Sequence, residues 1–249
     1  MSPPAPELSI VIPAYNEERR LPETLRRVRA YLDARRIAAE VVVVDDGSQD
    51  ATAALVEDRR AQFPGLRLVS NGGNRGKGYS VRHGMLEARG RVVLFTDADL
   101  SAPIEEADKL LAALDRGFHV AIGSRAVDRS LIEVHQSRLR ELAGIIFNGI
   151  VRAITRVNFA DTQCGFKAFL REPARIIFEQ QRIERFGFDP ELLFLAKRHG
   201  LRAVEIAVRW AHDPQTKVRM LRDSLRMFGE VVSIRWNWLR GRYPKAAPH

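Results

Sequence analysis

The chain has one cysteine, Cys164, in 249 residues. That excludes an intramolecular disulfide and fits a reducing compartment, with a buried, inert thiol as its simplest state. The N-terminal stretch lacks the charged-then-apolar order of a secretory signal. No segment reaches the ~18 uninterrupted apolar residues that a spanning helix needs. The nearest, residues 142–154, is broken by Asn148 and Arg152. The expectation is a cytoplasmic chain that lies, if anywhere on a membrane, peripherally on its cytoplasmic face. Internal repeats and low-complexity segments are missing as well. So is the phosphate loop G-x-x-x-x-G-K-[ST], because Lys77 in Gly76-Lys77-Gly78 is followed by glycine. The dinucleotide fingerprint G-x-G-x-x-G is also absent. His135, His199 and His212 are scattered without metal-ligand spacing and read as surface residues.

What is present is a hydrophobic content of 45%, enough for a packed core, and a net charge of +9. The charge is unevenly held. Residues 1–128 carry 18 Lys and Arg against 19 Asp and Glu, whereas residues 129–249 carry 22 against 12. A half that basic seeks phosphates: nucleic acid, anionic lipid or a phosphorylated substrate. No nucleic-acid motif accompanies it, and acidic strand ends in the other half would repel a phosphate backbone. A nucleic-acid module is therefore the minor alternative, and the expected partner list holds no nucleic acid.

The first half alternates short apolar runs with helical patterns. Strands are expected at 8–12, 41–44, 66–69, 92–96 and 119–123, and helices at 20–37, 52–62, 79–88 and 103–116. The strands are apolar throughout, which a parallel sheet covered on both faces requires. In the second half helices are expected at 137–157, 191–199 and 221–239, and strands at 165–170 and 203–210. Residues 212–219 read as a polar loop and 244–249 as a disordered tail. The helix at 221–239 sets Leu221, Leu225, Phe228, Val232 and Leu239 on one side. Its Trp236 and Trp238 stand beside Arg235, Arg240 and Arg242, a composition suited to a bilayer interface. Packing of that helix on the domain's own core is the competing expectation.

Ligands of such sheets sit beyond the carboxyl ends of the strands. Three polar strand ends fall there: Pro13-Ala14-Tyr15-Asn16-Glu17, Asp45-Asp46-Gly47-Ser48 and Asp97-Ala98-Asp99. Two carboxylates two residues apart, just past a strand, can share one hard divalent cation that keeps open positions for substrate phosphates. The glycine-rich loop 71–78 offers Lys77 and its amides to a sugar or phosphate, or is simply a connector.

The order and spacing of Ile10 to Glu18, Val43 to Ser48, Asp97-Ala98-Asp99 and Gly123-Ser124-Arg125 resemble a family-2 inverting glycosyltransferase. The segments Asp161-Thr162-Gln163-Cys164-Gly165-Phe166-Lys167-Ala168-Phe169 and Phe188-Asp189-Pro190-Glu191-Leu192-Leu193 resemble its dolichyl-phosphate β-glucosyltransferase branch. The resemblance implies an α/β fold of the glycosyltransferase A type, with a mostly parallel sheet flanked by helices. It implies that Pro13, Tyr15, Glu17, Asp45, Asp46, Lys77, Asp97 and Arg125 bind the nucleotide sugar. Asp97 and Asp99 are implied as ligands of Mg²⁺ or Mn²⁺. A glutamine often follows this motif in mannosyl-transferring relatives; Ser101 stands in its place, which leaves water to complete the coordination. Arg209 and Lys217 are implied to face the diphosphate and the acceptor phosphate. Asp161, Gln163 and Asp99 fall at the reacting centre, with Asp161 orienting first and acting as a base second.

The expected reaction is metal-dependent, inverting transfer of a hexose to a polyprenyl phosphate, dolichyl or undecaprenyl, at an anionic membrane surface. UDP-glucose is the favoured donor. GDP-mannose is the alternative donor, and a soluble or saccharide acceptor the alternative acceptor. The catalytic domain is expected over 1–215, with a nucleotide-sugar half at 8–128 and an acceptor half at 129–215. A basic amphipathic extension follows at 216–243.

Overall fold

The computed structural model describes residues 5–134, 136–212 and 220–244. His135, Lys217, the 213–219 part of the expected polar loop and the tail from 245 lie outside the described residues, as does the side chain of Leu221.

A seven-stranded sheet organises the chain. Its strands are β1 (Leu8–Ala14), β2 (Ala39–Asp45), β3 (Leu66–Ser70), β4 (Val92–Thr96), β5 (Val120–Ser124), β7 (Phe166–Leu170) and β8 (Ala203–Ala207). They lie in the order β3-β2-β1-β4-β7-β5-β8. All run parallel except β7, which pairs antiparallel with β4 on one side and β5 on the other. A small two-stranded ribbon joins β6 (Ile132–Val134) to β9 (Trp210–Ala211).

The all-apolar strands feed two cores at once. Ile10, Ile12, Val41, Val43 and Leu94 pack on one face. Val11, Val42, Val44, Val93 and Phe95 pack on the other. Helix α1 (Leu21–Arg35) closes the first face with Leu21, Leu25, Val28 and Leu32, the spacing the sequence predicts. Helix α2 (Thr52–Arg59) follows β2. On the second face lies α3 (Lys77–Glu87). A Cβ at Gly84 would stand 2.4 Å from the Val11 side chain and 2.7 Å from that of Val44, so this helix needs glycine to rest on the sheet.

The remaining helices are α4 (Ala107–Asp115), α5 (Arg138–Thr155), α6 (Arg171–Gln180), α7 (Phe188–Arg198) and α8 (Met220–Leu239). Two elements, α6 and β6, fall outside the expected set. The signal for α6 was present: Pro173 in the first turn, then Ala174, Ile177 and Phe178 at helical spacing, all buried. The ribbon strand β6 has no such signal, since two of its three residues are exposed. The expected strand at 203–210 ends at Ala207, and Trp210 and Ala211 leave the main sheet for the ribbon. The expected helix at 103–116 begins as a 3-10 turn, Ile104–Glu106. Among the described residues no helix is long and apolar enough to cross a membrane.

Candidate active site

The carboxyl ends of β1, β2 and β4 open on one cavity of about 320 Å³, within the range of small-ligand sites. Pro13, Tyr15, Glu17 and Asp46 line it, together with Lys77, Asp97 and Asp99. The loop after β1 is tied to the loop after β2. Asn16, at φ 54°, donates its amide to Ser48 Oγ at 2.9 Å, and its Oδ1 accepts from the Gln49 amide at 2.8 Å. The Glu17 amide donates to Thr52 Oγ1 at 2.8 Å. The Glu17 carboxylate takes a two-point grip from Arg20, both contacts at 2.6 Å.

The two acids at the end of β2 do different things. Asp45 turns back on its own loop and accepts from the Ser48 amide at 3.1 Å. Asp46 shapes the glycine-rich loop. Its carboxylate accepts from the Arg75 amide at 2.8 Å, the Gly76 amide at 2.9 Å and Asn71 Nδ2 at 2.8 Å. A carboxylate so satisfied holds a loop in one form, and this loop delivers Lys77 to the cavity.

Lys77 Nζ lies 2.6 Å from Asp97 Oδ1. Burial works against the Lys77 charge, but Asp97 and Asp189 hold the ammonium above its ordinary pKa. Asp99 is displaced upward by burial first and by the charge of Asp97 second. Its Oδ1 accepts from the Ser101 amide at 2.9 Å. The turn between them is pinned by Thr24 of α1, which donates to the Ala98 carbonyl at 2.5 Å. Leu100 is buried in the left-handed region at φ 47°, a strain that persists only where surroundings enforce it.

Beneath Asp97 lies Gly165. A Cβ there would meet Asp97 Oδ2 at 2.3 Å and Cγ at 2.7 Å. The carboxylate therefore rests in a cradle that only glycine leaves open. Two hard oxygen donors, a surplus of negative charge felt by Asp99, and room for non-protein ligands fit Mg²⁺ or Mn²⁺. No cluster of three or more metal-ligating side chains occurs among the described residues, so substrate and water would complete the coordination.

Residues 161–165 run from this floor into a second cavity of about 120 Å³, which Arg125, Asp161, Gln163, Arg129, Arg140 and Trp210 help to line. Arg125 grips Asp161 with Nε at 2.6 Å and Nη2 at 2.8 Å. The backbone amides of Arg125 and Gln163 add two bonds of 3.1 Å. Burial alone would raise the Asp161 pKa; Arg125 and these amides overcome it and bring it down to about 2. The Arg125 guanidinium also sits over the Trp210 ring, 5.4 Å from its centroid.

The structure brings together eleven of the sequence candidates: seven around the first cavity, three around the second, and Asp45 one turn away. Arg209 stands apart. It is held by Glu106, Nε to Oε1 at 2.7 Å, and lines neither cavity. Lys217 lies outside the described residues. Sequence reasoning missed Arg20, Arg185 and Phe186, which line the first cavity. The spacing of Glu17 and Arg20, one helical turn, was the available signal for the first. Arg185 and Phe186 sit on a loop whose conformation is set by Glu191. That carboxylate accepts from the Arg182 and Ile183 amides at 3.0 and 2.9 Å and from Tyr243 Oη at 2.6 Å.

Lys167 lines neither cavity and is a structural charge. It is fully buried in the inner strand β7, with Nζ 2.5 Å from Asp189 Oδ1 and 2.5 Å from the Cys164 carbonyl. Burial pushes the Asp189 carboxyl up, against the pull of Lys167 and Lys77. Lys167→Met should lower stability by about 3 to 5 kcal/mol, because Asp189 is then buried and unpaired. The double change Lys167→Met with Asp189→Leu should recover most of the loss, as read in urea unfolding.

The sequence model for glycosyl transferase family 2 matches residues 9–178. The chain belongs to that family. It is 39% identical to the Drosophila melanogaster dolichyl-phosphate β-glucosyltransferase over 95% of this chain and 76% of that protein. With the Homo sapiens dolichyl-phosphate β-glucosyltransferase it shares 33% over 96% and 78%. It is thus a glycosyltransferase of the branch its motifs resemble. Among solved structures, the fold is similar to mannosyl-3-phosphoglycerate synthase from Rubrobacter xylanophilus. The TM-score is 0.66 at 21% identity, over 95% of this chain and 76% of that one. Glucosyl-3-phosphoglycerate synthase from Mycobacterium tuberculosis, solved with Mn²⁺, UDP and phosphoglyceric acid, superposes with a TM-score of 0.62 at 21% identity, over 97% and 80%. These likenesses establish the glycosyltransferase A-type fold for this family-2 chain.

Proposed function

We propose that this enzyme transfers glucose from UDP-glucose, with inversion, to a polyprenyl phosphate, dolichyl or undecaprenyl, at a membrane surface. The observation that carries the acceptor is Asp161. Beside the second cavity, it is locked to Arg125 with a pKa of about 2. So acidic a group cannot take a proton efficiently from a sugar hydroxyl at neutral pH. A phosphate monoester has a second pKa of ~6 and is a dianion at pH 7. It needs no base, only a cationic seat, and Arg125, Arg129 and Arg140 surround that cavity.

In this reading Pro13, Tyr15 and Glu17 hold the nucleoside, and Asp45 and Asp46 set the loops around it. Asp97 and Asp99 would hold Mg²⁺ or Mn²⁺, which when bound offsets charge on the departing diphosphate. Lys77 supplies a fixed positive charge at the same place, where a pre-aimed cation stabilises charge as it develops. The acceptor phosphate oxygen attacks the anomeric carbon from the side opposite UDP. The bond from that carbon to the β-phosphate oxygen breaks as the new one forms. UDP leaves, and the α-linked donor gives a β-linked product. Support comes from the dolichyl-phosphate β-glucosyltransferase relatives. A UDP-glucose and Mn²⁺ complex of a fold neighbour adds to it.

The test incubates the enzyme with radiolabelled UDP-glucose or GDP-mannose, Mg²⁺ and polyprenyl phosphate. Label should pass from UDP-glucose into an organic-extractable, acid-labile lipid, and unlabelled UDP should compete better than GDP. Transfer from GDP-mannose alone would replace the donor. Label found only in a water-soluble product would replace the acceptor.

A further inference from the structure

Transfer as proposed makes no use of Phe188-Asp189-Pro190-Glu191-Leu192-Leu193, and residues 181–244 lie beyond the stretch that matches the family, 9–178. Residues 181–187, just ahead of that motif, nevertheless wall the nucleotide cavity with Arg185 and Phe186. On one side they rest on the glycine-rich loop. The Tyr79 amide donates to the Glu184 carbonyl at 3.0 Å, and Gln181 Nε2 donates to the Gly78 carbonyl at 2.9 Å. A Cβ at Gly78 would meet the Ile183 and Arg185 carbonyls at 2.7 and 2.8 Å, and one at Gly76 the Glu184 carbonyl at 2.6 Å. The two backbones touch because neither glycine carries a side chain.

On the other side the end of the chain holds them. Glu191 accepts from the Arg182 and Ile183 amides, and Tyr243 Oη donates to the same carboxylate at 2.6 Å. Glu230 of α8 accepts from the Gly187 amide at 2.7 Å, and a Cβ at Gly187 would lie 2.7 Å from Glu230 Cβ. A segment tied at 182–183 and again at 187 holds its middle in one place, as a preorganised binding group requires.

Three cations line this cavity: Arg20, Lys77 and Arg185. Glu17 grips Arg20, and Lys77 faces Asp97. Arg185 is half-buried, and among the described residues no carboxylate pairs with it. Its stem passes over the glycine-rich loop, since a Cβ at Gly76 would stand 3.1 Å from Arg185 Cγ. Arg209, the arginine expected at the diphosphate, is held by Glu106 and lines neither cavity. A free guanidinium in a recess favours an anion it can grip at two points, and phosphate is such an anion.

We infer that Arg185 binds the diphosphate of the nucleotide sugar, and that Glu191 and Tyr243 are positioning residues for it, acting through residues 182–187. The identity of the donor rests on the proposed function; the cationic contact to a nucleoside diphosphate does not. As the bond to the β-phosphate oxygen breaks and charge gathers on the departing diphosphate, a guanidinium already in place stabilises it without reorganising. Donor affinity thereby depends on Tyr243, which follows the last helix of the chain.

The experiment measures UDP and GDP binding to the full chain by calorimetry with Mn²⁺, alongside rates of transfer. Arg185→Met should weaken UDP binding and raise KM for UDP-glucose about 30-fold, with KM for the acceptor unchanged. Arg185→Lys should lose about fivefold, because it keeps the charge and not the two-point grip. Tyr243→Phe keeps the ring beside Phe194, 6.1 Å away, and removes one of the three donors to Glu191. It should weaken UDP about fivefold with unchanged circular dichroism. In the Arg185→Met background Tyr243→Phe should have no further effect, because it acts through that side chain. Arg185→Met that binds UDP as the parent does would overturn the inference. So would Tyr243→Phe that leaves UDP binding unchanged, or whose full effect adds to that of Arg185→Met. A parent that binds GDP in place of UDP, and loses it with Arg185→Met, would uphold the contact and replace the donor. UDP binding weakened as expected, in an enzyme that transfers nothing to polyprenyl phosphate, would uphold the inference and defeat the reaction.

Discussion

Gly165→Ala should abolish glucosyl transfer almost as completely as Asp97→Ala, each by about 1,000-fold in kcat/KM. The two changes reach the same group by different routes. Asp97→Ala removes a carboxylate that faces Lys77 at 2.6 Å and lines the nucleotide cavity. Gly165→Ala leaves the carboxylate but occupies its seat, because the new Cβ would lie 2.3 Å from Asp97 Oδ2. No contact so short survives, and the movable partner is the end of the Asp97 side chain. It must swing away from Lys77 and from the position it shares with Asp99. The backbone at Gly165 is not in the left-handed region, so alanine can follow it and the protein should still fold. Thermal unfolding should shift little, while calorimetric binding of UDP in the presence of Mn²⁺ should weaken sharply in both variants. A Gly165→Ala enzyme within about tenfold of the parent would mean that the position of Asp97 does not govern the reaction.

The close approach of Gly165 to Asp97 has no signature in the local sequence. The Asp97-Ala98-Asp99 triplet was legible there because an apolar run ends at it, and the sheet does present it at a strand end. The floor beneath it depends on β7 entering the sheet antiparallel between β4 and β5. That pairing joins residues about 70 apart in the chain, and no local periodicity encodes it. The same holds for Lys167. A lysine in a strand of Phe, Ala and Leu looks like a surface position on one face, yet both faces of this strand are covered and the charge is neutralised by Asp189 of α7.

Local patterns served well where a helix or strand packs through one regular stripe, as in α1 and β1 to β5. They served less well where one helix carries two. Residues 221–239 read as a single amphipathic face, with membrane binding and core packing as competing outcomes. The structure shows both stripes on α8, a few residues out of phase: the core takes Val231 and Ile234, and the stripe read from the sequence, from Leu225 to Leu239, faces outward. Asp46 illustrates a different limit. Its position at a strand end was clear, but its work on the loop amides of Arg75 and Gly76 needs the fold of residues 71–78.

Asp161→Asn should lower stability at neutral pH by about 3 kcal/mol, and the deficit should vanish in acid. The sign follows from the direction of the shift. The carboxyl has a pKa of about 2 in the folded protein, below the ~3.9 of an unfolded aspartate. A group depressed by folding stabilises the native state fully above its unfolded pKa and loses that contribution as pH falls through its folded pKa. The difference between parent and variant should therefore be constant above pH ~5, shrink between ~4 and ~2, and close below. At neutral pH it should appear as a melting temperature lower by about 6 to 12 °C. Arg125 is the reason: it spends both of its parallel contacts on Asp161, and asparagine returns neither charge nor the second acceptor. The rate tells the complementary half. Asp161 is ionised throughout the working range, so the pH profile of transfer should follow the second ionisation of the acceptor phosphate near ~6. Asp161→Asn should lower the plateau, through a misplaced Arg125, and leave the apparent pKa where it was. An ionisation that disappears from the profile in this variant would make Asp161 the base, and with that the acceptor would be a hydroxyl rather than a phosphate.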